Sequence, residues 1–293
     1  MEFNLSQLLN VIFDWIPNSH GFETKIEPIL IKNIFDDNFS KETLLNRFAY
    51  TIVDQQRDVE SVIIPLWNTM LYYGMNSQFL LESPLATEFI SSCLQAFGHQ
   101  QYHTKEELDL QDKSLGSRTD ALLNCYRKRS PEAFFNLIIN NKDNLLELYK
   151  QLTDYYFVSD KSAAFFLRDL LGIDFSLVPI DSNVARSVQR IGLYFVNQSD
   201  QIPDFNKILN QIIPIKKRTN PDNFRDLSNN IFKVCEVMGV SNYSPYKLNR
   251  YLFVIGADYC QNDKCGKCKI KELCYFNNLD SSRQSKFKDK LKS

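Results

Sequence analysis

Apolar residues recur along this chain at intervals of three and four, the spacing that lines one face of an α-helix. Leu44, Leu45, Phe48, Ile52 and Val53 form one such set, and Leu145, Leu146, Leu148 and Leu152 form another. Ala163 through Leu171 is a denser apolar run around Arg168 and Asp169. A helix start is written at Ser130-Pro131-Glu132, where a capping hydroxyl precedes a proline suited to the first helical position and an acid suited to the first turn. Asp181 reads as another start, because it separates the extended, proline-containing Val178-Pro179-Ile180 from a helical pattern. No stretch alternates convincingly in the manner of a strand. Between Gly98 and Asp120 the chain turns polar and loses its period, which suggests an inserted loop or short helix rather than a domain boundary. The expectation is an all-α protein.

Hydrophobic residues make up 44% and aromatics 13% of 293 residues, with only nine glycines. That is enough apolar material for one large domain or two modest ones, and it suits helices better than a turn-rich sheet. The net charge of −1 gives no global sign of a polyanionic partner, yet the segment from Cys260 to Ser293 holds nine Lys or Arg against four acids. Lys264, Lys267, Lys269 and Lys271 are the candidates there for phosphate contact, provided the loop that carries them is rigid. The stretch after Arg283 reads equally well as a solvated basic tail. Lys216-Lys217-Arg218 is a smaller basic knot of the same ambiguity. The opening Met-Glu-Phe-Asn-Leu-Ser is acidic where a secretory signal is basic, and no apolar run reaches membrane-spanning length, so a cytoplasmic location is expected.

Four of the seven cysteines fall within fifteen residues, as Cys260, Cys265, Cys268 and Cys274 in a C-x4-C-x2-C-x5-C array. In a reducing compartment such a set is a zinc site, an iron-sulfur site or a reduced structural group rather than disulfides. Zinc usually takes two close pairs, whereas here one C-x2-C pair is flanked by single cysteines, which favours a four-iron four-sulfur (4Fe-4S) cluster. Cys93, Cys125 and Cys235 stand alone in apolar surroundings and read as small buried hydrophobes. His99 and His103 are four apart and could share a helix face, but no acid or cysteine pattern completes a metal site with them. At the start of a helix, the Asp181 carboxylate would be kept ionised and fixed in direction by backbone N–H groups and the helix dipole.

Taken together, these residues resemble the endonuclease III family of helix-hairpin-helix DNA glycosylases. Cys265-Gly266-Lys267-Cys268-Lys269-Ile270-Lys271-Glu272-Leu273-Cys274 is similar to that family's cluster loop, and Gly256 suits its pattern. Pro179 through Arg190 resembles the family's V-D-T-H-x-x-R-V-x-x-R segment, which places Asp181 at its catalytic aspartate. Ser159-Asp160-Lys161-Ser162-Ala163 resembles the end of the G-x-K-T-A hairpin, which places Lys161 at the nucleophilic lysine of bifunctional members. Val53 through Asp58 resembles the segment whose glutamine enters the duplex gap, which places Gln55 there. The resemblance spans roughly Leu44 to Cys274 and departs from the family at three points. Four residues rather than six separate Cys260 from Cys265, Phe157 and Ser159 replace the two hairpin glycines, and Gln55 lies further from Lys161 than usual.

The resemblance implies two helical lobes flanking a DNA-binding cleft. A helical barrel would run over residues 40–177, and a cluster lobe over 178–274 would be joined by the N-terminal segment 1–39, with 275–293 as a basic tail. It implies a monomeric DNA repair glycosylase excising a damaged or mismatched base from duplex DNA, with abasic-site lyase activity if Lys161 is a nucleophile. Asp181 would stabilise charge on the sugar, Gln55 and the four loop lysines would contact DNA, and the four clustered cysteines would hold a structural 4Fe-4S cluster. Tyr155, Tyr156 and Phe157 would line a base pocket or, as is commoner for aromatics beside a helix, pack in the core. A non-catalytic DNA-binding protein of the same fold is the alternative. An electron-transfer module fits less well, because the sequence carries no flavin or nucleotide fingerprint.

Overall fold

The computed structural model describes residues 4–19, 40–53, 62–97, 118–170, 177–196, 202–238 and 243–293. Among the described residues all regular structure is helical and there is no strand. The chain divides into two compact units, Met1–Lys25 with Phe175–Ser293, and Ile26–Asp174. Helix α1 (Leu5–Ser19) belongs to the first unit. The second unit holds α2 (Lys41–Val53), α3 (Ile64–Tyr72), α4 (Ser77–Glu82), α5 (Ala86–Ala96), α6 (Arg118–Lys128), α7 (Pro131–Asn140), α8 (Leu145–Thr153) and α9 (Asp160–Phe165). The chain then returns to the first unit with α10 (Ser182–Ile191), α11 (Phe205–Gln211), α12 (Pro221–Val237), α13 (Pro245–Ile255) and α14 (Ser281–Lys292). No helix among the described residues is long and apolar enough to cross a membrane.

The second unit is organised by α2, whose periodic Leu44, Leu45, Phe48, Ile52 and Val53 are all buried. Phe48 is its hub, with ring centroids 5.0 Å from Phe134, 4.8 Å from Tyr155 and 5.0 Å from Phe166. Each such pair adds about 0.5–1.5 kcal/mol to the area it buries, which ties α7, α8's following turn and the end of α9 to one point. Tyr155 is therefore core, at 2% exposure. Helix α7 starts where Ser130-Pro131-Glu132 directs it, with the Ser130 hydroxyl accepting from the Ala133 N–H at 3.2 Å. Trp67 of α3 meets Tyr50 edge-on at 5.5 Å. The Cys125 thiol in α6 is buried and pushed well up by that burial, so it is inert as a nucleophile.

In the first unit α10 and α13 pack side by side, and α1 lies on α13. Phe13 makes edge contacts with Tyr243 and Tyr251 at 5.1 and 5.0 Å, and Trp15 lies 5.1 Å from Tyr259. Polar side chains buried between these helices are satisfied, as burial demands. The Ser187 hydroxyl donates to the Leu252 carbonyl at 2.7 Å, Gln189 exchanges bonds of 3.0 and 2.8 Å with the Ile213 backbone, and the Asn249 amide donates to the Pro179 carbonyl at 2.9 Å. Burial pushes the Cys235 thiol of α12 up to about 12.

Residues 275–293 read as a basic tail in sequence, yet 281–292 form α14. Asp280 caps it, accepting from the Arg283 N–H at 2.9 Å. Phe287 and Leu291, one turn apart, are buried with Phe195, Ile208, Ile212 and Phe276, so the helix closes a core of its own at this end of the unit.

Candidate functional site

Helix α10 carries a carboxylate at one end and the wall of a four-cysteine pocket at the other. Asp181 is its N-cap, with one oxygen, Oδ1, accepting from the Asn183 and Val184 N–H groups at 2.8 Å each. Oδ2 has no hydrogen-bond partner among the described residues, and the side chain is half-exposed. The capping bonds fix the direction of the carboxylate through one oxygen and leave the other uncommitted. Arg186, one turn along, donates to Asn183 Oδ1 at 3.0 Å, and burial lowers its guanidinium from the usual arginine range. Ten residues, about 15 Å, separate the two ends of α10. Gly192, in the left-handed region at φ 103°, then ends the helix as a glycine can and other residues rarely do.

At that far end Arg190 and Ile191 line a pocket together with Cys260, Cys265, Cys268 and Cys274. None of the seven cysteines is in a disulfide. Burial pushes the Cys260 thiol well up, Cys268 up to about 11 and Cys274 up to about 12. The neighbouring cysteines add to each rise and the Arg190 guanidinium opposes it, so the four sulfurs share one electrostatic environment. Cys274 Sγ also donates to the Arg190 carbonyl at 3.4 Å, and the Tyr275 N–H to the Ile191 carbonyl at 3.0 Å.

Among the described residues, no group of three or more His, Cys, Asp or Glu side chains is arranged to hold a metal ion. A zinc ion would draw all four sulfurs to about 2.3 Å from one centre. By the chemistry of its donors, a pocket lined by four cysteines outside any disulfide suits a 4Fe-4S cluster, and zinc takes thiolates as well. Cys260, Cys265, Cys268 and Cys274 would be the ligands of either.

Three residues that the sequence did not single out for this role hold the loop in place. Arg190 is only 4% exposed, donates to the Cys260 carbonyl and to Asp263 Oδ1, the latter at 2.7 Å, and stacks on the Phe276 ring at 3.9 Å. Asp263 in turn pairs through Oδ2 with Lys288 of α14 at 2.9 Å. Burial alone would raise the Asp263 carboxyl, but hydrogen bonds from Lys288 and Arg190, with their positive charge, hold it below the usual carboxylate range. Its backbone is left-handed at φ 52°, and the following Lys264 N–H reaches back to the Tyr259 carbonyl at 2.9 Å. That is the six-to-one bond of a helix terminus, with an aspartate where glycine is usual. The one available signal was Arg190 itself, a charge on a helix whose neighbouring positions Val188 and Ile191 are apolar.

The loop lysines differ among themselves. Lys264, Lys267 and Lys269 are exposed, while Lys271 is half-buried and pairs with Glu272 at 3.5 Å. Their backbone is fixed by turn bonds, Lys267 N–H to the Lys264 carbonyl and Lys271 N–H to the Cys268 carbonyl, both 3.1 Å.

Lys161 lies in the other unit, at the second position of α9, half-buried. Helices α8 and α9 are joined by a turn in which the Val158 N–H reaches the Tyr155 carbonyl at 3.1 Å and Ser159 caps the Ser162 N–H at 3.3 Å. Phe157 stands in the left-handed region at φ 69°, the conformation that glycine would adopt at this place without strain. Cations surround the turn: Arg118 lies 5.5 Å from the Phe157 ring, and Lys128 lies 4.5 Å from the Tyr155 ring and donates to the Asp154 carbonyl. Gln55, His99 and His103 lie outside the described residues.

No protein-family model matches this chain, and a comparison with curated proteins finds none that is similar.

Proposed function

We propose that this chain is a DNA repair glycosylase built on the endonuclease III plan, with two helical lobes flanking a DNA-binding cleft and a structural 4Fe-4S cluster on the four clustered cysteines. The observation that carries the reading is α10, which begins with a directed carboxylate at Asp181 and ends against the four-cysteine pocket. That combination matches the residue pattern resembling the family, and it gives the clustered cysteines a mechanical reason to be near the chemistry.

In this reading a damaged or mismatched base is extruded from the duplex, at a cost of a few kcal/mol, with Gln55 filling the gap. As the glycosidic bond breaks, the base leaves with the bonding electron pair and positive charge grows on the sugar. Asp181 stabilises that charge, which a fixed carboxylate does far better than water. If the Lys161 amine faces the anomeric carbon, it forms a C–N bond there as the bond to the base breaks and gives a proton to the departing base; the ring C–O bond then opens to leave a Schiff base and a hydroxyl, and β-elimination expels the 3′ phosphate. Lys264, Lys267, Lys269 and Lys271 hold backbone phosphates.

The test is excision from duplexes containing oxidised pyrimidines, 8-oxoguanine, alkylated purines, uracil or mismatches. One of these should be cleaved by the parent protein and not by Asp181→Asn. Activity on none of them, or undiminished activity of the variant, removes the reading.

A second reading, a non-catalytic iron-sulfur DNA-binding protein of the same fold, is favoured by the Phe157 turn. There a phosphate would have to approach backbone N–H groups past a benzyl side chain rather than past glycine. Tight binding to abasic DNA that survives Asp181→Asn, with no product at any time, supports it.

A further inference from the structure

The basic helix α14 lies beyond the stretch that resembles the glycosylases, and it is anchored too firmly to be a solvated tail. Its inner face is fixed by Phe287 and Leu291 in the core, by the Gln284 amide donating to the Phe276 and Leu279 carbonyls at 3.2 and 3.0 Å, and by the Lys288–Asp263 ion pair. On one outer flank Arg283, Lys286 and Lys290 follow at intervals of three and four, so they stand one above another along about 10 Å of helix. All three are exposed; Lys286 and Lys290 have no ion-pair partner among the described residues, and Arg283 pairs with its own cap, Asp280, at 3.3 Å. Asp289 is the one acid within the helix, so the flank stays net positive.

Long cationic side chains normally owe part of their indifference as a binding surface to the mobility of the chain beneath them. Here the backbone is already ordered, so only side-chain freedom is lost on binding. The Asp263 bridge also fixes the stripe relative to the loop that bears Lys264, Lys267 and Lys269. A partner that meets both the stripe and the loop lysines needs several negative charges along its length, as the backbone of a nucleic-acid duplex has.

Resting on the glycosylase reading above, we infer that Arg283, Lys286 and Lys290 form a second phosphate-binding row for duplex DNA, independent of base identity and of the catalytic residues. The row supplies affinity for undamaged duplex during search, and its contribution is electrostatic and salt-dependent.

The experiment uses the full chain with its iron retained and an undamaged 20-base-pair duplex, with binding measured from 50 to 300 mM KCl. The variant Arg283→Gln/Lys286→Gln/Lys290→Gln should lower the slope of log affinity against log salt by about 2 to 3 and weaken binding about tenfold or more at 100 mM salt, because each lost contact removes about 0.9 from the slope. Lys286→Arg/Lys290→Arg should keep both. Iron content, melting temperature and single-turnover excision at saturating protein should match the parent. A parent that binds the duplex, with a triple variant of unchanged slope, overturns the inference and leaves the glycosylase reading standing. A parent that binds no duplex overturns both. A stripe whose loss abolishes binding to phosphatidylserine vesicles and leaves duplex binding intact belongs to a membrane surface, and also overturns it.

Discussion

Gly256 is pressed against the backbone of Asn183, two residues beyond Asp181. A β-carbon on Gly256 would stand 2.2 Å from the Asn183 carbonyl oxygen and 2.5 Å from its carbon. Neither obstacle is a side chain that can swing away, so the segment leading to Cys260 and the start of α10 approach as closely as they do only because residue 256 has no side chain. Gly256→Ala should therefore cost about 1–3 kcal/mol, the usual range for overpacking a fixed contact. Urea unfolding followed by circular dichroism checks it, and a variant as stable as the parent contradicts the contact.

Arg190 makes a sharper case, since one guanidinium serves the Cys260 carbonyl, Asp263 and the face of Phe276. Arg190→Met keeps much of the volume and leaves the carbonyl without its donor. A loss of about 1–3 kcal/mol is expected for that unsatisfied group. Purified Arg190→Met should also carry less iron per chain than the parent by metal analysis. Full iron and full stability together would show that the loop holds itself.

At Phe157 the usual order of side chains should invert. Phe157→Ala keeps a β-carbon in the left-handed region and loses the ring, while Phe157→Gly loses both ring and strain. The glycine variant should be the more stable of the two by about 1 kcal/mol, the penalty of that conformation. Paired thermal melts decide it, with equal stability counting against the turn described.

The lyase step has its own signature. Borohydride added to the protein on abasic duplex should trap a covalent adduct in the parent and none in Lys161→Ala. A trapped adduct of equal yield in both would move the nucleophile elsewhere, and a parent that traps nothing would leave Asp181 acting alone on the glycosidic bond.

Anaerobically prepared protein should contain about four iron atoms per chain if the four cysteines hold a cube. Cys268→Ser should lose them together with the visible absorption. Zinc at one atom per chain in place of iron would overturn the cluster assignment.

Much of the helical framework could be read directly from residue order. Ser130-Pro131-Glu132 and Asp181 cap helices because capping is local chemistry, complete within four residues. The buried set on α2 was visible as period, since the core face of a helix writes itself into spacing. Residues 275–293 were harder to read: four lysines and an arginine suggest a solvated tail, whereas Phe287 and Leu291 decide the outcome through a core formed with Phe195, Ile208 and Ile212, far away in sequence. The clasp of Arg190, Asp263 and Lys288 was invisible for the same reason, as its members are joined only by folding. The cysteine array lay open to inspection because its four members are neighbours in the chain, whereas the left-handed Phe157 follows no propensity that a benzyl side chain expresses.

The chain has two tryptophans, Trp15 beside Tyr259 and Trp67 beside Tyr50, one in each unit. Tyr259 borders the cysteine pocket, so bound iron would dim the emission of Trp15. Each half of the molecule thus has its own lamp. With one ring replaced by phenylalanine at a time, cofactor loss and the melting of either half can be watched separately without an added label.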